Sequence, residues 1–337
     1  MPATLITGGT GLIGSAIARR LLARGDDVVL LDVMPSPERI SALRTDFPDG
    51  SVEVARGDVT ALGSLLDLVQ RHQVDAIVHL ASMLGPDSDA DPGFATRTNC
   101  EGTTNVLDIA RLRGLRRVVL ASSIAVFGDD SCYAPADLPL REDAPQWGAP
   151  GMRMYSAAKI YCEQLARHYT RRFGVSVTAL RPSVVHGQGR RSGATSVVTK
   201  VIEDAMFDEP VTVGLGNASM SLIYVEEVAD QFVALLDADP AVVAEHPFYN
   251  SGGFTCGVRD LAEVVRSILP DAQITVEPSA ERDVGGLVTA VRGDLLGEVL
   301  GHTPRFATLA DGVLHQMNLV RSQSGLPPLE SPTALAR

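Results

Sequence analysis

The chain of 337 residues is short of lysine. It has two, Lys159 and Lys200, and arginine supplies the rest of its 29 basic side chains. Positive charge is itself in deficit: 41 acidic residues give a formal net charge of −12 and an isoelectric point near 5.0. That balance argues against a nucleic-acid or anionic-membrane partner. No apolar run approaches the roughly 18 residues of a membrane span, so none is expected. The N-terminus, MPATLITGGTG, has no basic segment followed by an apolar one, so no signal peptide is expected. The four cysteines (Cys100, Cys132, Cys162, Cys256) form no CxxC pair and have no histidine at metal spacing. A zinc site is therefore not expected, and free thiols in a reducing cytoplasm are.

What is present is ordinary globular material, 45% apolar and 21% charged, enough for one large domain or two smaller ones. The first half alternates short apolar runs with helical patterns. Strands are expected at 4–7, 28–32, 51–58, 77–82, 117–123 and 176–183. Helices are expected at about 12–24, 61–71, 99–112 and 155–173. Near-continuous β-branched strands separated by helices predict an α/β fold, a doubly wound parallel sheet. After residue 183 the pattern loosens. A Gly- and Arg-rich loop (186–196) precedes expected helices at about 197–207, 226–236 and 258–269, and strands at 221–225, 247–253 and 273–277. This predicts a Rossmann domain over 1–183, with 221–250 returning to it. A smaller interleaved substrate domain is expected over 184–220 and 251–325, and a loose tail over 326–337.

TGGTGLIG (7–14) lies between the first strand and the first helix. Gly8, Gly11 and Gly14 allow a tight turn and close approach of a pyrophosphate. The backbone N–H groups of Leu12 and Ile13 then open the helix as an anion site. Asp32 ends the second strand, where a carboxylate binds adenosine ribose hydroxyls and repels a 2′-phosphate. NAD is thus expected over NADP, although Arg39 stands within reach. Asp58 and Val59 are positioned to flank the adenine, or Asp58 caps the following helix.

MYSAAKIYC (154–162) puts Tyr155 and Lys159 four residues apart, on one face of a helix. A lysine kept in an arginine-rich chain hints that a compact ammonium is needed there. A free tyrosine has a pKa near 10. A nearby ammonium favours the phenolate and brings it towards neutral pH, where it can take the proton of an alcohol being oxidised. A serine hydroxyl can bond the same oxygen in its alcohol and ketone states. The plainer alternative is an exposed pair on a helix.

The motifs TGGTGLIG, GDV (57–59), HLAS (79–82), NCEGT (99–103), SSIAVFG (122–128), YSAAK (155–159) and RPSVVHG (181–187) stand in one order. In this they resemble the extended short-chain dehydrogenases/reductases, the NAD-dependent epimerase/dehydratase group, over roughly residues 3–320. The resemblance implies an NAD-dependent enzyme of the UDP-glucose 4-epimerase-like or threonine dehydrogenase-like kind. It implies Tyr155 as catalytic base, Lys159 as its partner and ribose ligand, and Ser123 as the substrate-orienting serine. It also implies a cofactor lining of Leu80, Ala81 and Ser82, a steadying Asn99, and Pro182, Ser183 and Val185 beside the nicotinamide. A homodimer through the helices near 99–112 and 155–173 is a further implication. Ser122 and Ser123 read equally as strand-end turn residues, Asn99 as a helix cap, and His79 as a packed core histidine. His186 is read either as a substrate contact or as structural.

The chain also departs from that pattern. Dehydratases of the group carry an Asp-Glu pair where Ile124 and Ala125 stand here, so a dehydratase is not expected. The arginine that holds a diphosphate in sugar-nucleotide enzymes is replaced by Met220, and Arg282 stands one position early for a second. Arg190 and Arg191 are left to grip a carboxylate or phosphate, or to sit solvated in their loop. The expectation is NAD-dependent chemistry at a secondary alcohol of a sugar-like molecule, a sugar or nucleotide-sugar. An epimerase comes first, a net dehydrogenase of a sugar acid or β-hydroxy amino acid second, and a non-enzymatic NAD sensor third.

Overall fold

The computed structural model describes residues 3–146, 152–190, 196–207, 210–279 and 286–330. The wholly buried strand β1 (Ala3–Thr7) turns through glycines into helix α1 (Leu12–Ala23). There follow β2 (Val28–Asp32), α2 (Pro37–Asp46), β3 (Val52–Arg56), α3 (Leu62–Arg71) and β4 (Val74–His79). Two short helices, α4 (Gly85–Ala90) and α5 (Pro92–Thr96), run into a π-helical turn (Arg97–Glu101) and then α6 (Gly102–Arg113). The strands β5 (Arg117–Ala121) and β6 (Val177–Arg181) flank the 20-residue α7 (Met154–Phe173).

The second half begins with β7 (Val184–His186), α8 (Ser196–Glu203), β8 (Val211–Val213) and β9 (Ser219–Tyr224). It continues through α9 (Val225–Asp237), α10 (Pro240–Glu245), β10 (Phe248–Asn250), β11 (Phe254–Gly257) and α11 (Val258–Ile268). The last elements are β12 (Ile274–Val276), α12 (Leu295–Leu300) and α13 (Leu309–Gln323).

Seven strands form one sheet in the order β10-β6-β5-β4-β1-β2-β3, and every pairing in it is parallel. One face is covered by α1 and α9, with Leu43 of α2 and Leu296 of α12. The other is covered by α3, α6 and α7. Burial on both faces explains why these strands read as continuous apolar runs. The order reverses at β1, which lies between β2 and β4, and at such a switch point the connections leaving the carboxyl ends of adjacent strands run to opposite faces and open a crevice.

A second apolar core joins α8, β8, β9, β11, α11 and α13. Here one expectation needs correction. The strand expected to return to the large sheet, β9, pairs instead with β7 (parallel) and β11 (antiparallel). The rest of that stretch does return: α9 packs on α1, α10 lies against β6, and β10 pairs with β6 in the seven-stranded layer. The reason is local: Ser221 hydrogen-bonds Ser183, and Met220 and Leu222 point into the second core. Of the expected tail, residues 326–330 are described: all but Leu329 are exposed and none is in a helix or strand. Leu329 exchanges two hydrogen bonds with the Asn318 amide (2.7 and 3.1 Å) and packs on the second core. Residues 331–337 lie outside the described residues.

Candidate active site

The crevice at the carboxyl ends of β1, β2, β4, β5 and β6 is a cleft of about 560 Å³. At one end its wall is the glycine turn, with Gly8, Gly11, Leu12, Ile13 and Gly14. Gly8 adopts φ +66°, and a Cβ there would sit 3.1 Å from Ala81 N. At Gly14 a Cβ would lie 2.5 Å from Gly8 O, so only glycine lets α1 close on its own entry turn. Asp32, Asp58 and Val59 line the same end. Asp32 is fixed from both sides: Oδ2 accepts from Thr10 Oγ1 (2.7 Å) and Thr10 N (3.3 Å), and Oδ1 accepts from Met34 N (3.1 Å). Arg39 donates to Ser15 Oγ on α1 (2.8 Å). Asp58 accepts from Thr60 N (2.9 Å), and the residue capping α3 is Ala61. A backbone cradle that a Cβ would fill, a helix N-terminus and an anchored carboxylate together fit a dinucleotide.

Leu80, Ala81 and Ser82 form the middle of the wall. Their backbone is held by Thr7, whose Oγ1 accepts from Leu80 N and Ala81 N (both 3.2 Å) and donates to His79 Nδ1 (2.7 Å). His79 Nε2 then donates to Thr103 Oγ1 (3.1 Å), which donates to Asn99 O (2.6 Å). This chain of donors requires a neutral His79 with its proton on Nε2. Burial, with the Lys159 ammonium adding to it, lowers its pKa to about 3. His79 is therefore a packed core histidine.

Tyr155, Lys159 and Ser123 meet at the far end, with Pro182, Ser183 and Val185 beside them. Tyr155 sits in the first turn of α7, and Lys159 lies one turn on, buried towards the sheet. The Lys159 ammonium lies 5.4 Å from the centre of the Tyr155 ring and donates to Ala121 O (2.7 Å), which fixes it under the cleft. Ser123 caps the turn Ile124–Phe127, its Oγ accepting from Ala125 N (3.1 Å), so its hydroxyl can donate into the cleft. Arg190 reaches the same end. Its guanidinium donates to Val185 O, and burial pushes its pKa down to about 10, which leaves it charged at neutral pH.

Three expected site residues fare differently. Asn99 does not line the cleft. It is buried behind the wall, accepting from Met83 N (2.7 Å) and Ser82 Oγ (3.1 Å) and donating to Met83 O (3.1 Å). It is set in the π-helical turn, and such turns in helices recur at functional sites. His186 is not a cleft residue either. It is 1% exposed, stacked on Tyr224 and bonded to Gln316 Oε1 (2.8 Å). Burial lowers its pKa to about 4. Arg191 and Arg282 lie outside the described residues. Sequence reasoning missed Phe94, Arg153 and Leu287, which also line the cleft. All three come from irregular or short segments whose residues carry no periodic signal.

The family model described as "NAD dependent epimerase/dehydratase family" matches residues 4–250. A UDP-glucose 4-epimerase of Azospirillum brasilense is 30% identical, covering 93% of this chain and 90% of the relative. UDP-glucuronic acid decarboxylase 1 of Arabidopsis thaliana is 31% identical over 83% of this chain, which spans only 61% of that relative's length. Among solved structures, a partial consensus L-threonine 3-dehydrogenase superposes with a TM-score of 0.80 at 23% identity. That match covers 95% of this chain and 100% of the other.

Proposed function

We propose, from the premise that this chain belongs to the NAD-dependent epimerase/dehydratase family and is an NAD-dependent enzyme of the extended short-chain type, that it acts on a secondary alcohol of a sugar-like substrate. The observation that carries this reading is the meeting of Tyr155, Lys159 and Ser123 in the cleft that also holds the glycine turn and Asp32. Leu12, Ile13, Asp32, Asp58, Val59 and the Leu80–Ala81–Ser82 wall would hold NAD, with Pro182 and Val185 at its nicotinamide end. Bound NAD supplies the hydride acceptor. Tyr155 takes the hydroxyl proton as the carbinol carbon is oxidised and returns it on reduction. Lys159 favours the phenolate by charge, and Ser123 orients the substrate oxygen in both states.

The first reading is an epimerase of a sugar or nucleotide-sugar, in which the ketone is retained and reduced on its other face. The UDP-glucose 4-epimerase relative supports it. The second is a net dehydrogenase of a small hydroxy compound, from which the ketone leaves. A specific observation favours the second: Met220, at the position of the diphosphate arginine, is 2% exposed in the second core. A methionine packed there offers no positive charge to a diphosphate. Under this reading Arg190, charged and beside Tyr155, takes a carboxylate of the substrate. A homodimer through α6 and α7 is supported by exposed Leu112, Tyr161 and Phe173 on those helices. A cytoplasmic setting suits four free thiols.

The test incubates the protein and NAD with panels of UDP-sugars, aldonates and β-hydroxy amino acids. Isomerised product without NADH release supports the epimerase. Stoichiometric NADH supports the dehydrogenase, and neither response with any panel sinks both readings. Sedimentation of the purified protein as a monomer would reject the dimer.

A further inference from the structure

Behind the catalytic end of the cleft lies a fully buried ion pair that the proposed chemistry does not use. Glu163 and Arg181 are each 1% exposed. Arg181 Nε and Nη2 donate to Glu163 Oε1 and Oε2, both at 2.7 Å. Oε1 also accepts from Ser122 Oγ (2.6 Å), and Oε2 from Gln146 Nε2 (2.5 Å). The Arg181 guanidinium is flanked by the rings of Phe127 (4.9 Å) and Phe248 (5.4 Å) and donates to Glu142 O (2.8 Å).

Sequence position makes this pair consequential. Glu163 follows Lys159 by four residues on α7, and both side chains face the sheet. At that spacing a lysine and a glutamate are natural partners. They also anchor to adjacent residues of one strand end: Lys159 to Ala121 O, Glu163 to Ser122 Oγ. Yet the contact Lys159 makes is with a carbonyl, and the Glu163 carboxylate has all its acceptor directions taken.

We propose that Arg181 is a positioning residue that occupies Glu163 and so keeps the Lys159 ammonium uncompensated, leaving its field to act on Tyr155. This rests on the reading of Tyr155 as the base. The other groups facing this centre do not supply the missing counter-charge. His79 on β4 is neutral, and Cys100 is held as a thiol by its hydrogen bond with Cys162 and by burial. Cys162 is lowered to about 7, chiefly by its hydrogen bond with Cys100 and in part by Lys159 itself, but its Sγ donates to Asn99 O (3.2 Å), as only the thiol can. Arg190 and Arg153 are themselves cations. An unpaired Glu163 would turn to Lys159 and neutralise it, removing the positive charge that favours the phenolate over the phenol.

The experiment titrates tyrosinate absorbance in the NAD-loaded protein, with the Tyr155→Phe curve subtracted. It compares wild type, Arg181→Met, Glu163→Gln and the double variant. Arg181→Met should raise the apparent pKa of Tyr155 by about one unit or more. Glu163→Gln leaves an extra cation and should lower it, and the double variant should return it to the wild-type value. A simple brace would lower the melting temperature of the variants without this pattern of opposite signs. Superimposable curves in all four proteins would overturn the proposal. Should Arg181→Met not fold, the downward shift in Glu163→Gln and its reversal in the double variant decide the matter. A wild-type Tyr155 that titrates at its ordinary value would overturn the base assignment itself, and this inference with it.

Discussion

Mild acid will destabilise this protein through the buried His79 and His186 and the half-buried His315, and the change of slope in a His79 variant isolates His79. In the folded chain His79 Nδ1 accepts from Thr7 Oγ1, so a second proton would set two donors against each other. Its folded pKa is about 3, against 6.5 when unfolded. Between those values the unfolded chain binds more protons, so stability falls as pH falls. The loss is about 1.4 kcal/mol per pH unit below 6.5, or about 2 kcal/mol near pH 5. His186, lowered to about 4 by burial, adds a loss of about 2 kcal/mol over the same interval. Urea unfolding near pH 7 and near pH 5 measures both. Wild type should lose about 4 kcal/mol from these two groups, and His79→Asn about half of that, whatever the variant's absolute stability. Folded His79 stays neutral down to about pH 3, so the Thr7 bonds to Leu80 and Ala81 N–H persist and the folded protein's affinity for NAD should hold between pH 7 and 5. An unchanged pH slope in His79→Asn would refute the hydrogen-bond chain drawn through it.

Other perturbations have equally definite outcomes. Gly14→Ala sets a Cβ 2.5 Å from Gly8 O, a backbone atom that cannot swing aside, so NAD should no longer raise the melting temperature. Asp32→Asn removes a charged acceptor and should weaken NAD binding roughly 10–150-fold by calorimetry, while narrowing the preference over NADP. Met220→Arg buries an unpaired charge in the second core and should cost about 3–5 kcal/mol in urea unfolding. If instead it created affinity for a nucleotide diphosphate, the small-substrate reading would fail.

What could be read from the sequence followed from period and punctuation. The strands of the large sheet are apolar runs because both faces are covered. The glycine turn is legible because a turn, a close approach and a helix start all demand small residues in eight positions. The Tyr155–Lys159 spacing needs only the period of a helix. The rest depends on partners far away in the chain. Helix α2 has a signal at Ser36-Pro37 but buries Leu43 alone, so its periodicity is faint. Helix α13 carries a readable capping box, Thr308 with Asp311, that was missed in a region without alternation. The strands β7 and β11 are three and four residues long and exist because β9 lies between them. Asn99 and His186 belong to motifs around the site, yet tertiary packing turns both side chains away from the cleft. The ion pair of Glu163 with Arg181 is 18 residues apart in sequence and had no local signature.

The central claim is that Tyr155 is the proton acceptor of an NAD-dependent reaction at an alcohol carbon. Its most direct test follows nicotinamide absorbance in the NAD-loaded protein after mixing with each substrate panel, for wild type and Tyr155→Phe. The account predicts reduction of the cofactor in wild type, transient for an epimerase and stoichiometric for a dehydrogenase. It predicts a rate at least about 100-fold lower in Tyr155→Phe, with NAD binding retained. Full-rate reduction by Tyr155→Phe would contradict it.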